Sequence, residues 1–204
     1  VTFDGARLAG RYAIFPLSDG AWNIRKLDDS QPAVPAEAPV PEPMLASPGE
    51  LPPGSEDAAW SYEFKWDGVR ALARVTGGRV ALFSRKSTDI TVRYPEVVRA
   101  PAALAGRSGL LDGEIVALDA QGRPDFGALQ GRMHRTGPEV ARLAAAVPVT
   151  YLVFDLLAWN GEDLRGLPYA RRRERLDALD LSGQRWAVTP WFPGSGDGVG
   201  ADVL

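Results

Sequence analysis

From Ser55 onward, apolar and polar side chains alternate in short runs separated by turn residues, the pattern of half-buried strands. It predicts strands over 60–65, 69–76, 79–84, 110–118, 148–156 and 185–191. Gly77-Gly78, in "RVTGGRV", sits between two of these and signals a tight hairpin. The run "VTYLVFDLL" (149–157) is too apolar for a strand with a wet face and reads as a central one. Helical spacing appears over 95–105, 125–132, 138–146 and 169–180. In the last of these, Tyr169, Leu176 and Leu179 share one face, with Arg171, Arg172, Arg173 and Arg175 largely outside it. Hairpins mixed with helices predict an α+β fold, antiparallel sheets flanked by helices, rather than an alternating parallel one.

Upstream the pattern changes twice. Residues 1–29 hold two short β-like runs, "RYAIFPL" (11–17) and "WNIRKL" (22–27), around an Asp-Gly turn signal. Two strands alone bury too little to be stable, so they read as the end of another sheet. Residues 30–54 contain eight prolines and no periodicity. They read as a semi-rigid linker, with Met44 and Leu45 placed to dock on the domain downstream. Residues 55–204 form the main unit. The chain starts at Val1 rather than Met, which fits a piece of a longer protein.

Composition narrows the chemistry. The 204 residues include no cysteine and one histidine, His134, so thiol nucleophiles, disulfides and Cys/His metal sites are excluded. No apolar run is long enough for a membrane-spanning helix, no signal peptide is visible, and a cytoplasmic location is expected. The net charge of −3 argues against gripping nucleic acid by charge alone.

Within "WSYEFKWDGVR" (60–70), strand alternation puts Glu63 and Lys65 on one face and Tyr62 and Phe64 on the other, toward a core. Gly68 permits a reversal that returns Arg70 near Lys65. A nearby cation and partial burial favour the neutral amine, which is a nucleophile. Taken alone, Lys65 reads first as a strand-end lysine paired with Asp67 in a wet turn. Three other stretches add candidates. "LFSRKSTDIT" (82–91) ends a strand at Ser84-Arg85-Lys86, a phosphate or ribose contact or simply a basic turn. "LLDGEIVALD" (110–119) puts Asp112 and Glu114 on one face, either to hold Mg²⁺ or a ribose hydroxyl or as an acidic edge. Phe154 is a base-stacking aromatic or plain core.

Together "EFKWDGVR", "SRKSTDITVRYPE", "LDGEIVALD", "FGALQGRMHR" and "YLVFDLL", in this order and spacing, resemble the adenylation domain of ATP-dependent DNA ligases, the bacterial non-homologous end-joining type above all. "LPYARRRERLDAL" (167–179) extends the likeness, and "PEPMLA" resembles the approach to that domain. The first 29 residues look like the last strands of the 3′-phosphoesterase-like module that precedes it in multidomain versions. The resemblance implies that Lys65 attacks the α-phosphate of ATP and forms a covalent lysyl-AMP. Arg70 and Arg85 would contact the ribose and phosphates, Glu114 the ribose or the metal, with Asp112 a second metal candidate. Phe154 would stack on adenine, and Glu63 or its backbone would read the base edge. The implied cofactors are ATP and Mg²⁺ or Mn²⁺. The implied partners are nicked or broken duplex DNA and the end-binding protein Ku.

The family's glutamate-glycine stretch and pair of α-phosphate lysines are not found downstream of "YLVFDLL". The expectation is therefore a ligase adenylation domain truncated at its C-terminus, with impaired adenylation. Two other readings stay open: an RNA ligase or capping-type nucleotidyltransferase, and a non-catalytic nucleotide- or DNA-docking remnant.

Overall fold

A computed structural model describes residues 39–194 in full. Of the N-terminal part it describes the strands of residues 2–4, 9–16 and 22–26, as backbone only. These strands are β1 (Thr2–Asp4), β2 (Ala9–Pro16) and β3 (Trp22–Lys26), in an antiparallel three-stranded sheet of order β1-β2-β3. The Asp-Gly turn and residues 30–38 of the linker lie outside the described residues.

The main sheet runs β10-β8-β7-β5-β6, with β9 on β8. Its strands are β5 (Val69–Thr76), β6 (Arg79–Ser84), β7 (Gly109–Ala117), β8 (Val149–Trp159), β9 (Glu162–Asp163) and β10 (Trp186–Val188). β4 (Ser61–Glu63) pairs instead with β11 (Trp191–Pro193) in a two-stranded sheet. The helices are α1 (Pro95–Val98), α2 (Phe126–Gln130), α3 (Glu139–Ala146) and α4 (Tyr169–Asp177). The α+β class holds, with one parallel pair, β10 on β8.

Gly77 and Gly78 adopt φ of +58° and +85° between paired Thr76 and Arg79, the two-residue hairpin that needs positive φ at both positions. The expected helix over 95–105 is interrupted. α1 stops at Val98, Pro101 follows, and Ala102–Leu104 form only a 3₁₀ turn, because the residue before a proline is driven out of the helical region. The expected strand over 185–191 is two strands, split at Thr189-Pro190.

Alternation sorts the sheet into two faces. On one, Ala71, Ala73 and Val75 of β5, Leu111 and Ile115 of β7, and Val149, Tyr151 and Val153 of β8 pack with Val97, Leu129, Leu176 and Trp186. Tyr151 crosses under Gly113, where a Cβ would lie 2.7 Å from the tyrosine ring, and donates its hydroxyl to the Ala71 carbonyl at 2.9 Å. The other face carries Arg70, Asp112 and Glu114 at one end. At the other end Leu72, Leu110 and Ala158 are covered by Val40, Phe83 and Leu157. There the proline-rich segment docks, through Val40 and buried Pro43, while Met44 and Leu45 remain exposed.

Candidate active site

The polar end of that second face is built by register. β5 pairs with β7 so that Arg70 stands opposite Glu114 and Leu72 opposite Asp112. Arg70 donates to both Asp112 oxygens, Nε at 2.6 Å and Nη2 at 2.8 Å. Nη2 also reaches the Met44 carbonyl at 3.3 Å. β8 opposes Asp112 with a bulge: Val153 faces Gly113 and Asp155 faces Asp112, leaving Phe154 as the extra residue. Arg70 then lies over the Phe154 ring, its guanidinium carbon 4.5 Å from the centroid. The structure thus gathers Arg70, Asp112, Glu114 and Phe154 at one place. Burial pushes the Asp112 carboxyl up from its ordinary range, and the Arg70 guanidinium pulls it back.

Glu114 is mostly buried and makes no ion pair at contact distance among the described residues. Its carboxyl is pushed up to about 7, first by desolvation and then by the charges of Asp112 and Asp67. Arg70 and the Gly68 N–H counter this. The Gly68 N–H reaches Glu114 because the loop after Lys65 presses against β7. A Cβ at Gly68 would sit 2.3 Å from the Ile115 carbonyl oxygen, so only glycine fits.

Lys65 lies in the loop between β4 and β5 and is exposed. The partial burial expected for Lys65 is therefore corrected, and Arg70, expected near it, is engaged by Asp112 and Phe154. Phe64 does not enter a core either. It is 42% exposed, with its ring edge-on to Phe192 and Trp66, because β4 ends at Glu63 and the alternation ends with it. Arg85 lies exposed in the turn after β6, where Ser87 takes φ +56° and donates to the Val40 carbonyl.

Glu63 faces a second cluster. The arginines of α4 were expected to lie largely outside the packed face, but Arg172 and Arg173 turn inward. Arg172 holds both oxygens of Asp155 at 2.8 Å. Arg173 is wholly buried and donates to the carbonyls of Phe154 and Thr189. Burial pushes the Glu63 carboxyl up, while Tyr169 and Arg173 draw it down. The spacing Tyr169–Arg173–Leu176 along one helix face is the sequence signal that identifies Arg173 as an inward residue.

Among the described residues, no group of three or more His, Cys, Asp or Glu side chains is placed to hold a metal ion. Asp112, a metal candidate by sequence, has both oxygens committed to Arg70. That leaves Glu114 as the free carboxylate of the pair.

The model of the ATP dependent DNA ligase domain matches residues 43–192, which takes in every residue of this site. The chain belongs to that family. Its N-terminal strands lie outside the match, which begins on the proline-rich segment that touches Arg70. Among relatives of this ligase domain, the multifunctional non-homologous end joining protein LigD of Pseudomonas aeruginosa is 42% identical over 146 residues, 70% of this chain and 16% of that protein. LigD of Mycobacterium bovis is 33% identical over 196 residues, 96% of this chain and 24% of that protein. A solved mycobacterial DNA ligase D complexed with ATP and MES is 34% identical and superposes with a TM-score of 0.54, covering 67% of this chain and 41% of that one. The chain thus spans less than half the length of each of these ligases. No helix among the described residues is long and apolar enough to cross a membrane.

Proposed function

We propose that this chain is the nucleotide-binding part of an ATP-dependent DNA ligase acting in double-strand break repair. The supporting observation is the convergence of Arg70, Asp112, Glu114 and Phe154 on one sheet face directly after the Lys65 loop, inside the stretch matched by the ligase family. In this reading the Lys65 Nζ attacks the α-phosphorus of ATP. A P–N bond forms, the bond to the pyrophosphate oxygen breaks, and the amine gives up its proton. The AMP then passes to a DNA 5′-phosphate, and attack by the adjoining 3′-hydroxyl seals the strand.

Each residue has a task fitted to its surroundings. Phe154 offers an aromatic face to adenine, and Arg70, held by Asp112, is oriented toward ribose and phosphate. Glu114 accepts from a ribose hydroxyl. Arg85, on an exposed turn, adds charge for the phosphates, and Glu63 accepts from the base edge. A magnesium ion, or manganese in its place, would arrive on the triphosphate and neutralise its charge. Such ions are commonly held by one or two carboxylates plus phosphate oxygens, and Glu114 fits that role with Asp112 committed elsewhere. Exposure of Lys65 suits an amine that must meet first a nucleotide and then a DNA end.

In this reading residues 1–29 end a preceding 3′-phosphoesterase-like module and 30–54 lead into a ligase domain over 55–204; what supports a further unit upstream is that the 33% identity to the Mycobacterium bovis LigD covers 96% of this chain, beyond the stretch 43–192 matched by the ligase family. Broken duplex DNA is the proposed substrate, Ku the proposed partner, and the cytoplasm the proposed location. The test is nick sealing by the longest protein that carries this chain, with ATP and with GTP, on a DNA nick and on an RNA nick. Sealing of DNA with ATP, lost in Lys65→Arg, is expected. Preference for GTP, or for RNA, would replace the reading with a capping or RNA-joining one.

A further inference from the structure

The Phe154 carbonyl is held by a group to which the proposed chemistry assigns no task. Arg173 of α4 is 0% exposed. Its Nη1 donates to the Phe154 carbonyl at 2.9 Å, and its Nη2 to the Thr189 carbonyl at 2.6 Å and to Asp177 at 3.4 Å. Nη1 also lies 3.9 Å from Glu63 Oε1. One side chain therefore ties α4 to β4, to the bulge of β8 and to the link between β10 and β11.

The cluster is not built for stability alone. Glu63 Oε1, the Tyr169 hydroxyl and Arg173 Nε are all buried, and none completes a well-formed hydrogen bond. Burying a charge with incomplete pairing costs stability, and an apolar side chain of similar volume commonly serves a fold as well or better. What the guanidinium supplies is orientation. The bulge leaves the Phe154 carbonyl to Arg173, so the arginine fixes the backbone that aims the Phe154 ring. The same Nη1 faces the carboxylate of Glu63.

We propose that Arg173, assisted by the Tyr169 hydroxyl, is a positioning residue for base selection. It sets Phe154 and Glu63 relative to one another, so that the site prefers adenine to guanine. The inference rests on the nucleotide reading above. The chemistry is simple. An ionised carboxylate only accepts hydrogen bonds. Adenine presents an exocyclic amine that donates, whereas guanine at the same place presents an oxygen that repels. A carboxylate free to swing away tolerates both. Rejection of the wrong polar edge therefore needs Glu63 held still, and the buried Arg173 charge, 3.9 Å from Glu63 Oε1, is the cation placed to hold it.

The test is calorimetric titration of the 204-residue chain with ATP and with GTP, beside Arg173→Lys and Tyr169→Phe, each variant also melted thermally. Tyr169→Phe removes one oxygen and keeps the ring that packs edge-on against Trp191, so it reports even where Arg173→Lys fails to fold. The expected result is that the ATP-over-GTP preference falls roughly tenfold in Arg173→Lys and roughly threefold in Tyr169→Phe. A purely structural role would weaken both nucleotides alike and leave the ratio intact, which overturns the inference. A chain that binds neither nucleotide overturns the nucleotide reading and this inference together. A chain that prefers ATP, with both variants keeping that preference, overturns this inference alone.

Discussion

The Arg70 guanidinium lies over the Phe154 ring, 4.5 Å from guanidinium carbon to ring centroid, because β8 carries one residue more than β7 at that level. In a bulge of this kind two residues stand opposite one, here Phe154 and Asp155 opposite Asp112. Each is taken by a different arginine: Phe154 by Arg70 of β5, reaching across β7, and Asp155 by Arg172 from α4. Two further arginine contacts, Asp112 on Arg70 and Arg173 on the Phe154 carbonyl, lock the arrangement.

Phe154→Leu should separate binding from folding. The ring is half-buried, and leucine keeps its apolar contact with the sheet while losing the flat face. ATP affinity is expected to fall about tenfold, with the melting temperature changed by no more than a few degrees. Titration calorimetry and a thermal melt check both halves. Unchanged affinity would remove Phe154 from the site.

Gly68→Ala should act on the fold and the site together. The added methyl would meet the Ile115 carbonyl, and the loop must move away from β7, taking the Gly68 N–H from Glu114. A loss of about 2–4 kcal/mol in unfolding free energy is expected, as for other steric insults of this kind. Denaturant unfolding measures it. A loss below about 0.5 kcal/mol, the usual range for surface substitutions, would show that the close approach does not exist.

Glu114 should make stability fall as pH rises. Its folded carboxyl titrates at about 7, above the ordinary 4.5, so the folded state holds the proton more tightly than the unfolded chain. The resulting cost is absent below pH 4.5, grows between the two values and is complete above 7. Its size is on the order of 3 kcal/mol. Glu114→Gln should remove this slope, so unfolding free energies of the two proteins should converge near pH 4 and separate by pH 8, the glutamine protein being the more stable at the higher pH. Parallel pH profiles would contradict the assignment.

Much of this was legible in the residues. Alternation placed Asp112 and Glu114 on one face, and Gly77-Gly78 gave the hairpin that fixes the register of β5 on β6, while the register that brings Arg70 opposite Glu114 came only with the structure. The two irregularities of β8 were not legible, since neither Phe154 nor Leu157 carries a turn or glycine signal. Lys65 was expected at the end of a strand over 60–65, but β4 ends at Glu63, which releases both Phe64 and Lys65 from alternation. Arg173 escaped because charge was read ahead of position. Its four-residue spacing from Tyr169 puts it on the packed face, where the backbone carbonyls of the β8 bulge and of the residue after β10 supply partners that no sequence pattern announces.

The central claim, a covalent nucleotide on one amine, has a direct measurement. The chain is incubated with α-labelled ATP and magnesium, then digested, and the labelled peptide is located by mass spectrometry. The expected product is AMP on Lys65, however slowly it accumulates. Its bond should be labile in acid and stable in alkali, as a phosphoramidate is, and the product should vanish in Lys65→Arg. Label on any other residue, label that persists without Lys65, or no label after prolonged incubation would contradict it.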